Sequence, residues 1–488
     1  MTSAGRVAVL DVGTTAVKAA IVGADGVVLR GASAPVPTAT PAPAHVEQDP
    51  ADWWAAAAAA SEVFAGEPVD ALAVTGQMQT TVLVPRQGSP GPALLYSDQR
   101  APVEHARLTA ALGSAWAGAV GAAPDATNVA AKWAWLRAHD PARADAATSV
   151  LVGAHSWLVH ELTGVAACDP TTAATTGLFD LAAGGWWQPV LDAAGLPREL
   201  LPAVVDPTTV TGTLRAGSAK EIGLPAGLPV VHAAGDALAT TLGVLGVERD
   251  RAYAYLGTSG WVARTGAARP RSAGTIALPS LAGDWLAIGP LLACGAAVDW
   301  ARQTLLGGAT PAGADELAAG VCAAAEGVLF LPHLDGSRVP RPDPLATGVL
   351  VGLRRSTTPA VLAAAVYEGV AQALRAIADE VALGVADLTA CGGGTRSPVL
   401  SQVLADVTGS QVHVVADEYA PSRGAAACAL AALGRPAPPP PEPTRTHRPD
   451  PARHAHHRRV APVFDELAAA VATSAARLTP HEKEQSPA

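Results

Sequence analysis

Cysteine is scarce in this chain: five residues in 488, at positions 168, 294, 322, 391 and 428, with no CxxC spacing. So few, scattered and odd in number, they fit reduced thiols and exclude a disulfide framework or a clustered zinc site. Long apolar stretches are missing as well. No run of eighteen apolar residues free of charge reads as a membrane span, and the opening MTSAGRVAVLDVG has neither a basic leader nor a cleavable apolar segment. Charged residues make up only 16%, and a net charge of −10 argues against nonspecific nucleic-acid binding. Hydrophobic residues reach 49%, so the chain is globular and not disordered. These absences leave a cytoplasmic globular protein as the expectation, and its length requires two large domains.

What is present is concentrated in two glycine turns. An apolar strand from Val7 to Leu10 leads into Asp11-Val12-Gly13-Thr14-Thr15-Ala16-Val17-Lys18, and Ala19 to Val22 is a second strand. This predicts a hairpin, with Asp25-Gly26 turning into a third strand from Val27. No GxxxxGK[ST] pattern is present, so the turn is not a Walker A loop. Roughly half a chain later, Tyr253 to Leu256 ends in Gly257-Thr258-Ser259-Gly260. Backbone N–H groups and hydroxyls in a tight turn receive phosphate oxygens, although each turn alone also reads as an ordinary hairpin. Two copies predict a duplicated α/β unit with nucleotide held between the halves. Between them, an apolar run from Leu228 to Ala234 delivers Asp236 directly after Gly235. An acid leaving a buried strand beside a small residue suits a general base; the competing reading is a helix cap.

Other segments complete the pattern. Glu47-Gln48-Asp49-Pro50 caps a helix running through Trp53 and Trp54. A strand from Ala71 to Thr75 ends at Gly76-Gln77-Met78-Gln79, with Thr81 to Val84 returning from it. Ala93 to Tyr96 ends at Ser97-Asp98-Gln99-Arg100. Polar residues at strand ends line ligand crevices in open α/β sheets. Helices are predicted over 128–139, 155–162, 296–306 and 359–383. A strand from Asp387 to Cys391 enters Gly392-Gly393-Gly394-Thr395-Arg396-Ser397 before a helix from Pro398 to Thr408. Such a glycine triplet lets backbone approach a flat ligand or phosphate. The Pro-rich stretch 436–451 reads as a linker before a last helix from Val460 to Leu478, and His454, His456 and His457 read as a solvated basic patch.

Taken in order, these segments resemble the FGGY family of carbohydrate kinases, most of all its xylulose kinases, from Asp11 to about Gly434. The resemblance rests on Asp11 to Lys18, Glu47 to Pro50 with Trp53-Trp54, Gly76-Gln77-Met78, and Asp98 with Arg100. It continues through Ala234-Gly235-Asp236, Gly257 to Gly260, Leu329 to Pro332 with Gly336, Arg338, Pro340 and Gly348, and Gly392 to Ser397. It implies an α/β fold of two actin-like ATPase (ribonuclease H-like) domains with a nucleotide and sugar cleft between them. Residues 1–246 would carry most of the sugar site, 247–434 most of the adenosine site, and 435–488 a strap and terminal helix. The resemblance further implies phosphoryl transfer from ATP with Asp236 as the catalytic base. Asp11, with Asp236, would hold Mg²⁺ through water. Thr14, Thr15, Lys18, Gly257 and Thr258 would meet the phosphates; Gly295, Gly393, Gly394 and Ser397 would border the adenosine. Met78, Gln79, Tyr96, Asp98, Asp236 and Trp261 would lie on the sugar side.

Three departures bear on the substrate. Xylulose kinases usually carry Met-His, Asp-Asn and Trp-Asn-Asp where this chain has Met78-Gln79, Asp236-Ala237 and Tyr96-Ser97-Asp98. Two polar contacts to sugar hydroxyls are therefore changed or missing, and such contacts discriminate strongly. A ketopentose such as D-xylulose is the expected acceptor. Another ketose, a polyol such as glycerol or erythritol, or a sugar acid is the alternative. Retention of Asp11, both Gly-Thr turns and Asp236 argues against a non-catalytic actin-like ATP-binding sensor. The expected partner is the small sugar, with no nucleic acid and no membrane; a homodimer is left open.

Overall fold

Val7–Val12 is apolar at every position except Asp11 and is buried along its whole length. Buried on both faces, such a strand belongs in the middle of a sheet, and a computed structural model puts it there. It pairs antiparallel with Ala16–Val22 and parallel with Ala71–Gly76, which pairs in turn with Pro229–His232. Val28–Pro35 forms the edge beyond Ala16–Val22. The structure describes residues 5–270, 274–343, 345–381, 387–415 and 418–478. They pack as two units, one of Met1–Val247, Leu278–Trp285 and Tyr419–Pro441, the other of the remaining segments.

In the first unit the expected helix runs from Pro50 to Ala60. Asp49 caps it by accepting from the Ala51 N–H at 2.9 Å, and Pro50 opens it, where a missing donor does no harm. Met78–Pro85 departs from expectation. It does not return along Ala71–Gly76 but pairs with Ala147–Gly153 in a separate sheet. The single linking residue, Gln77, is too short for a hairpin turn, so the chain runs on.

The second unit repeats the plan. Ala252–Leu256 pairs antiparallel with Gly260–Gly266 and parallel with Asp387–Cys391, followed by Gln411–Val414. The helix Pro359–Val381 is long and apolar enough to cross a membrane, yet 72% of its apolar window is buried within the fold. Residues 382 and 383 of the expected helix lie outside the described residues.

The C-terminal segment corrects three expectations. Within the Pro-rich stretch, Arg445–His447 adds an edge strand to Gln411–Val414. The last helix begins at Pro451, not Val460, because Asp450 caps it by accepting from the N–H groups of Ala452 and Arg453. Carried onto that helix, the histidines are not a solvated patch. His457 is 2% exposed, and His454 Nδ1 lies 2.9 Å from the Asp406 carbonyl.

Ala420–Ala432, which the sequence assigns to the second domain, packs in the first unit against the helix Asp236–Leu245. The backbones touch there. A Cβ on Gly243 would lie 1.8 Å from the Ala420 carbonyl oxygen, and one on Gly424 would lie 1.9 Å from that of Ala239. Gly243→Ala or Gly424→Ala must therefore push the helices apart, destabilising the protein by about 3 kcal/mol or more. Gly217→Ala, on an exposed helix with open space around the added carbon, should instead be neutral or stabilise by up to about 1 kcal/mol. Chemical denaturation of the three variants checks the contrast.

Candidate active site

In the first unit two carboxylates end up beside each other's field. Asp11 lies on Val7–Val12, opposite Lys18 across the hairpin and opposite Thr75 on the other side. Burial, and then the Asp236 charge, push Asp11 up to about 7, while Lys18 pulls it back. Asp236 opens the helix Asp236–Leu245 just after the strand Pro229–His232, with Gly235 as the N-cap. The acid is thus a first-turn residue and not the cap itself. Burial pushes it up to about 6, with His155 opposing. Room beside it is set by Gly235: a Cβ there would strike Met78 Sδ at 2.4 Å and Thr172 Oγ1 at 2.6 Å. The strand end bearing Met78 is therefore packed against the residue that precedes Asp236.

The first hairpin closes with the Gly13 N–H donating to the Ala16 carbonyl at 3.0 Å, leaving Thr15 exposed at the tip. Its shape is held from beneath by Gln48. That side chain donates to the Thr14 carbonyl at 2.6 Å and to Thr38 at 2.8 Å, and accepts from Trp53 at 2.8 Å and Gln77 at 2.9 Å. Lys18 lies with Nζ 5.6 Å from the centre of the Tyr419 ring. Behind Asp236, His155, Asp169 and His232 form a fully buried group. His155 Nε2 lies 3.3 Å from both Asp169 Oδ2 and Thr172 Oγ1, and His232 Nε2 lies 2.9 Å from Ser156 Oγ.

In the second unit, Gly257, Thr258, Gly295, Gly393, Gly394 and Ser397 all line one cavity of about 670 Å³, a volume suited to a drug-sized ligand. The Thr258 and Ser259 hydroxyl-bearing residues are exposed at the hairpin tip. Gly295 begins the helix Gly295–Thr304, and its N–H donates to the Gly257 carbonyl at 2.8 Å. No side chain fits at that position, since a Cβ would lie 2.6 Å from the same oxygen. On the far wall, Tyr367 and Ser397 both donate to Asp315 Oδ1 at 2.7 Å.

The sugar-side candidates divide. Met78 and Gln79 stand together at the start of Met78–Pro85, and Tyr96 is 43% exposed. Asp98 is corrected as a direct sugar contact. It is 0% exposed, its Oδ1 accepts from Arg100 Nε at 2.9 Å, and its Oδ2 accepts from Arg100 and the Val46 N–H at 2.7 Å. Its oxygens are spent inside the scaffold, because Arg100 is only two residues away and its fork fits a carboxylate. Trp261, in the second unit, stacks on Tyr255 at 4.0 Å and donates to the Tyr253 hydroxyl at 3.0 Å.

Family models for the N-terminal and C-terminal domains of the FGGY carbohydrate kinases match residues 7–243 and 252–433. The chain belongs to the FGGY family of carbohydrate kinases. It is 34% identical to a xylulose kinase of Streptomyces rubiginosus over 87% of each chain, and 32% identical to that of Escherichia coli K12 over 86% of this chain and 88% of the other. The crystal structure of a xylulose kinase from Rhodospirillum rubrum superposes with a TM-score of 0.88 at 29% identity, covering 97% of this chain and 100% of that one. The activity is thus ATP-dependent phosphorylation of a carbohydrate, and the fold is the two-domain fold of these kinases.

Several residues that shape this kinase's site escaped the sequence reading. Gln48 and Gln77 lie within Glu47-Gln48-Asp49-Pro50 and Gly76-Gln77-Met78-Gln79, motifs whose pattern alone assigns them no role. Lys132, alone in the apolar run Val129-Ala130-Ala131-Lys132-Trp133, carried a legible signal, since a lone cation among apolar residues demands partners. Asp315 and Tyr367 carried none. Asp98→Ala should destabilise the protein by about 1–3 kcal/mol, because Arg100 Nε and the Val46 N–H lose their acceptor while Glu47 still pairs with Arg100. Thermal unfolding of that variant, with and without acceptor, separates this from a ligand contact, which would leave the unliganded midpoint unchanged.

Proposed function

We propose that this kinase phosphorylates a ketopentose, with D-xylulose as its acceptor, and that Asp236 is the base. The observation that carries the reading is the half-buried Asp236 in a helix first turn, with Gly235 and Met78 packed beside it and Asp11 within its field. The likeness to xylulose kinases over most of the chain supplies the substrate. Residues 1–246 serve the acceptor and 247–434 the nucleotide, while Arg445–His447 extends the second unit's sheet edge.

Phosphoryl transfer requires positioning and charge neutralisation more than covalent chemistry from the protein. The acceptor hydroxyl attacks the γ-phosphorus as Asp236 takes its proton; the new O–P bond forms as the bond to ADP breaks. A carboxyl held near neutrality by burial suits that task, since it both accepts and releases a proton at cellular pH. Thr14, Thr15 and Lys18 bind phosphate oxygens in the first unit, as do Gly257 and Thr258 in the second. Gly295, Gly393, Gly394 and Ser397 border the adenosine. Met78, Gln79, Tyr96 and Trp261 face the acceptor. Asp11 and Asp236 fit Mg²⁺: both are hard oxygen donors, Asp11 raised in part by the Asp236 charge, and they would hold the ion through water. When bound, the ion neutralises phosphate charge. A cytoplasmic location goes with this reading, since ATP is consumed and all five cysteines are free thiols.

ADP release measured over ketopentoses, ketohexoses, glycerol, erythritol and gluconate tests the substrate. The highest kcat/KM is expected with D-xylulose; a preference for glycerol or gluconate would overturn that choice. Asp236→Asn tests the base. It should lower kcat by about 10² to 10⁴ with acceptor saturating. ADP binding should stay intact and stability unchanged or slightly higher, because the variant no longer buries a charge. Near-full activity in Asp236→Asn would show that the carboxylate is structural.

A further inference from the structure

Gln79 adopts a backbone conformation that few residues other than glycine accept, with φ at 58°. It is the second residue of Met78–Pro85, where the pairing with Ala147–Gly153 slips register between Met78 and Val82. Such a conformation is strained and persists only where surroundings enforce it. Two of those surroundings are visible. The fully buried Lys132 points Nζ at the Gln79 carbonyl, 3.5 Å away, while donating to the Leu95 carbonyl at 2.5 Å. The side chain is held separately: Gln79 Nε2 donates to Thr127 Oγ1 at 2.8 Å.

That second bond has a direction fixed by its neighbours. Asp125 Oδ1 accepts from the Thr127 N–H at 2.8 Å and from the Thr127 hydroxyl at 2.5 Å. A carboxylate only accepts, so the hydroxyl proton is committed to Asp125. Thr127 Oγ1 can then only accept from Gln79, which fixes the amide with its nitrogen toward Thr127. Among the described residues Gln79 Oε1 has no hydrogen-bond partner. It is left as a lone acceptor on the strand end whose preceding residue, Met78, packs against Gly235 beside Asp236.

We infer that Gln79 reads the acceptor through Oε1, taking a hydroxyl that donates, and that Thr127 is the positioning residue that fixes this polarity. The inference rests on the reading that this strand end faces the acceptor. It deepens that reading in one respect: the substrate must present a hydroxyl at this point, and a carboxylate there, able only to accept, is refused. Sugar acids oriented with their acid group toward Gln79 are thereby excluded, while ketoses and polyols are admitted.

The test uses the full chain, its preferred acceptor, and analogues of that acceptor in which each non-reacting hydroxyl is replaced by fluorine, which keeps size but cannot donate. In the wild type one analogue should lose about 10- to 100-fold in kcat/KM, the worth of one hydrogen bond left unmade. Thr127→Val should raise the acceptor KM about 10-fold, leave the KM for ATP within about 2-fold, and erase the discrimination against that analogue. Thr127→Ser, which keeps the hydroxyl, should restore both. Full discrimination in Thr127→Val, or no recovery in Thr127→Ser, overturns the inference. So does a fall in kcat or thermal midpoint with both KM values unchanged, the signature of a purely structural threonine. A readout independent of turnover is the side-chain amide resonance pair of ¹⁵N-labelled Gln79. It should exchange slowly with solvent in wild type and Thr127→Ser and rapidly in Thr127→Val; equal exchange in all three also overturns the inference. A wild type inactive on every carbohydrate tested would instead defeat the substrate reading, and the amide exchange would still decide the role of Thr127.

Discussion

The close crossing of Asp236–Leu245 and Ala420–Ala432 is the constraint from which the first unit's chemistry follows. Gly243 and Gly424 let the two backbones meet at distances no side chain permits. The later helix also packs on the strands Val7–Val12 and Ala71–Gly76. A helix locked on one side against another helix, and continuous at its start with a buried strand, has little freedom to tilt. Its first residue, Asp236, is therefore held in place by contacts at Ala239 and Gly243, the latter about two turns away. The glycines at the crossing and the glycine before the acid act together. One pair lets the helix sit low on the sheet, and Gly235 leaves space for Met78 and Thr172 beside the carboxylate.

The same burial that stabilises the sheet tunes its acids. Val7–Val12 and Pro229–His232 are buried strands, and a carboxylate attached to either loses hydration. Asp11 and Asp236 both rise as a result, against the pull of Lys18 and His155. Asp98 shows the opposite solution. Buried more completely than either, it is satisfied by the Arg100 guanidinium and a backbone N–H, and it serves the scaffold. Whether a buried acid acts or merely supports is thus decided by how many of its oxygens are already bonded.

The two units share a hairpin beside parallel strands, but they put it to different use. In the first, an acid precedes the turn by two residues, and Gln48 braces the loop from below. In the second, the strand Ala252–Leu256 carries no acid, and the hairpin instead borders a cavity closed by the glycine triplet and by Asp315 with its two hydroxyl donors. Repetition supplies two phosphate-sized turns, and divergence between them assigns acid chemistry to one and cavity-building to the other.

The sequence by itself determined the local features: both hairpins, the Asp49-Pro50 cap, the strand-to-acid junction at Gly235-Asp236 and the glycine triplet before Pro398. Each depends on residues within a few positions, where turn chemistry, capping and hydrophobic period dominate. Only the tertiary structure decided that 420–432 packs with the first unit, that Arg445–His447 joins a sheet, and that Asp98 is spent on Arg100. Only it joined Gln79 to Thr127, across a separation of 48 positions. Those outcomes depend on which distant surfaces meet, and on which polar atoms are left unpaired once they do. No window of neighbouring residues contains that information, because the partners are chosen by shape and burial across the whole fold.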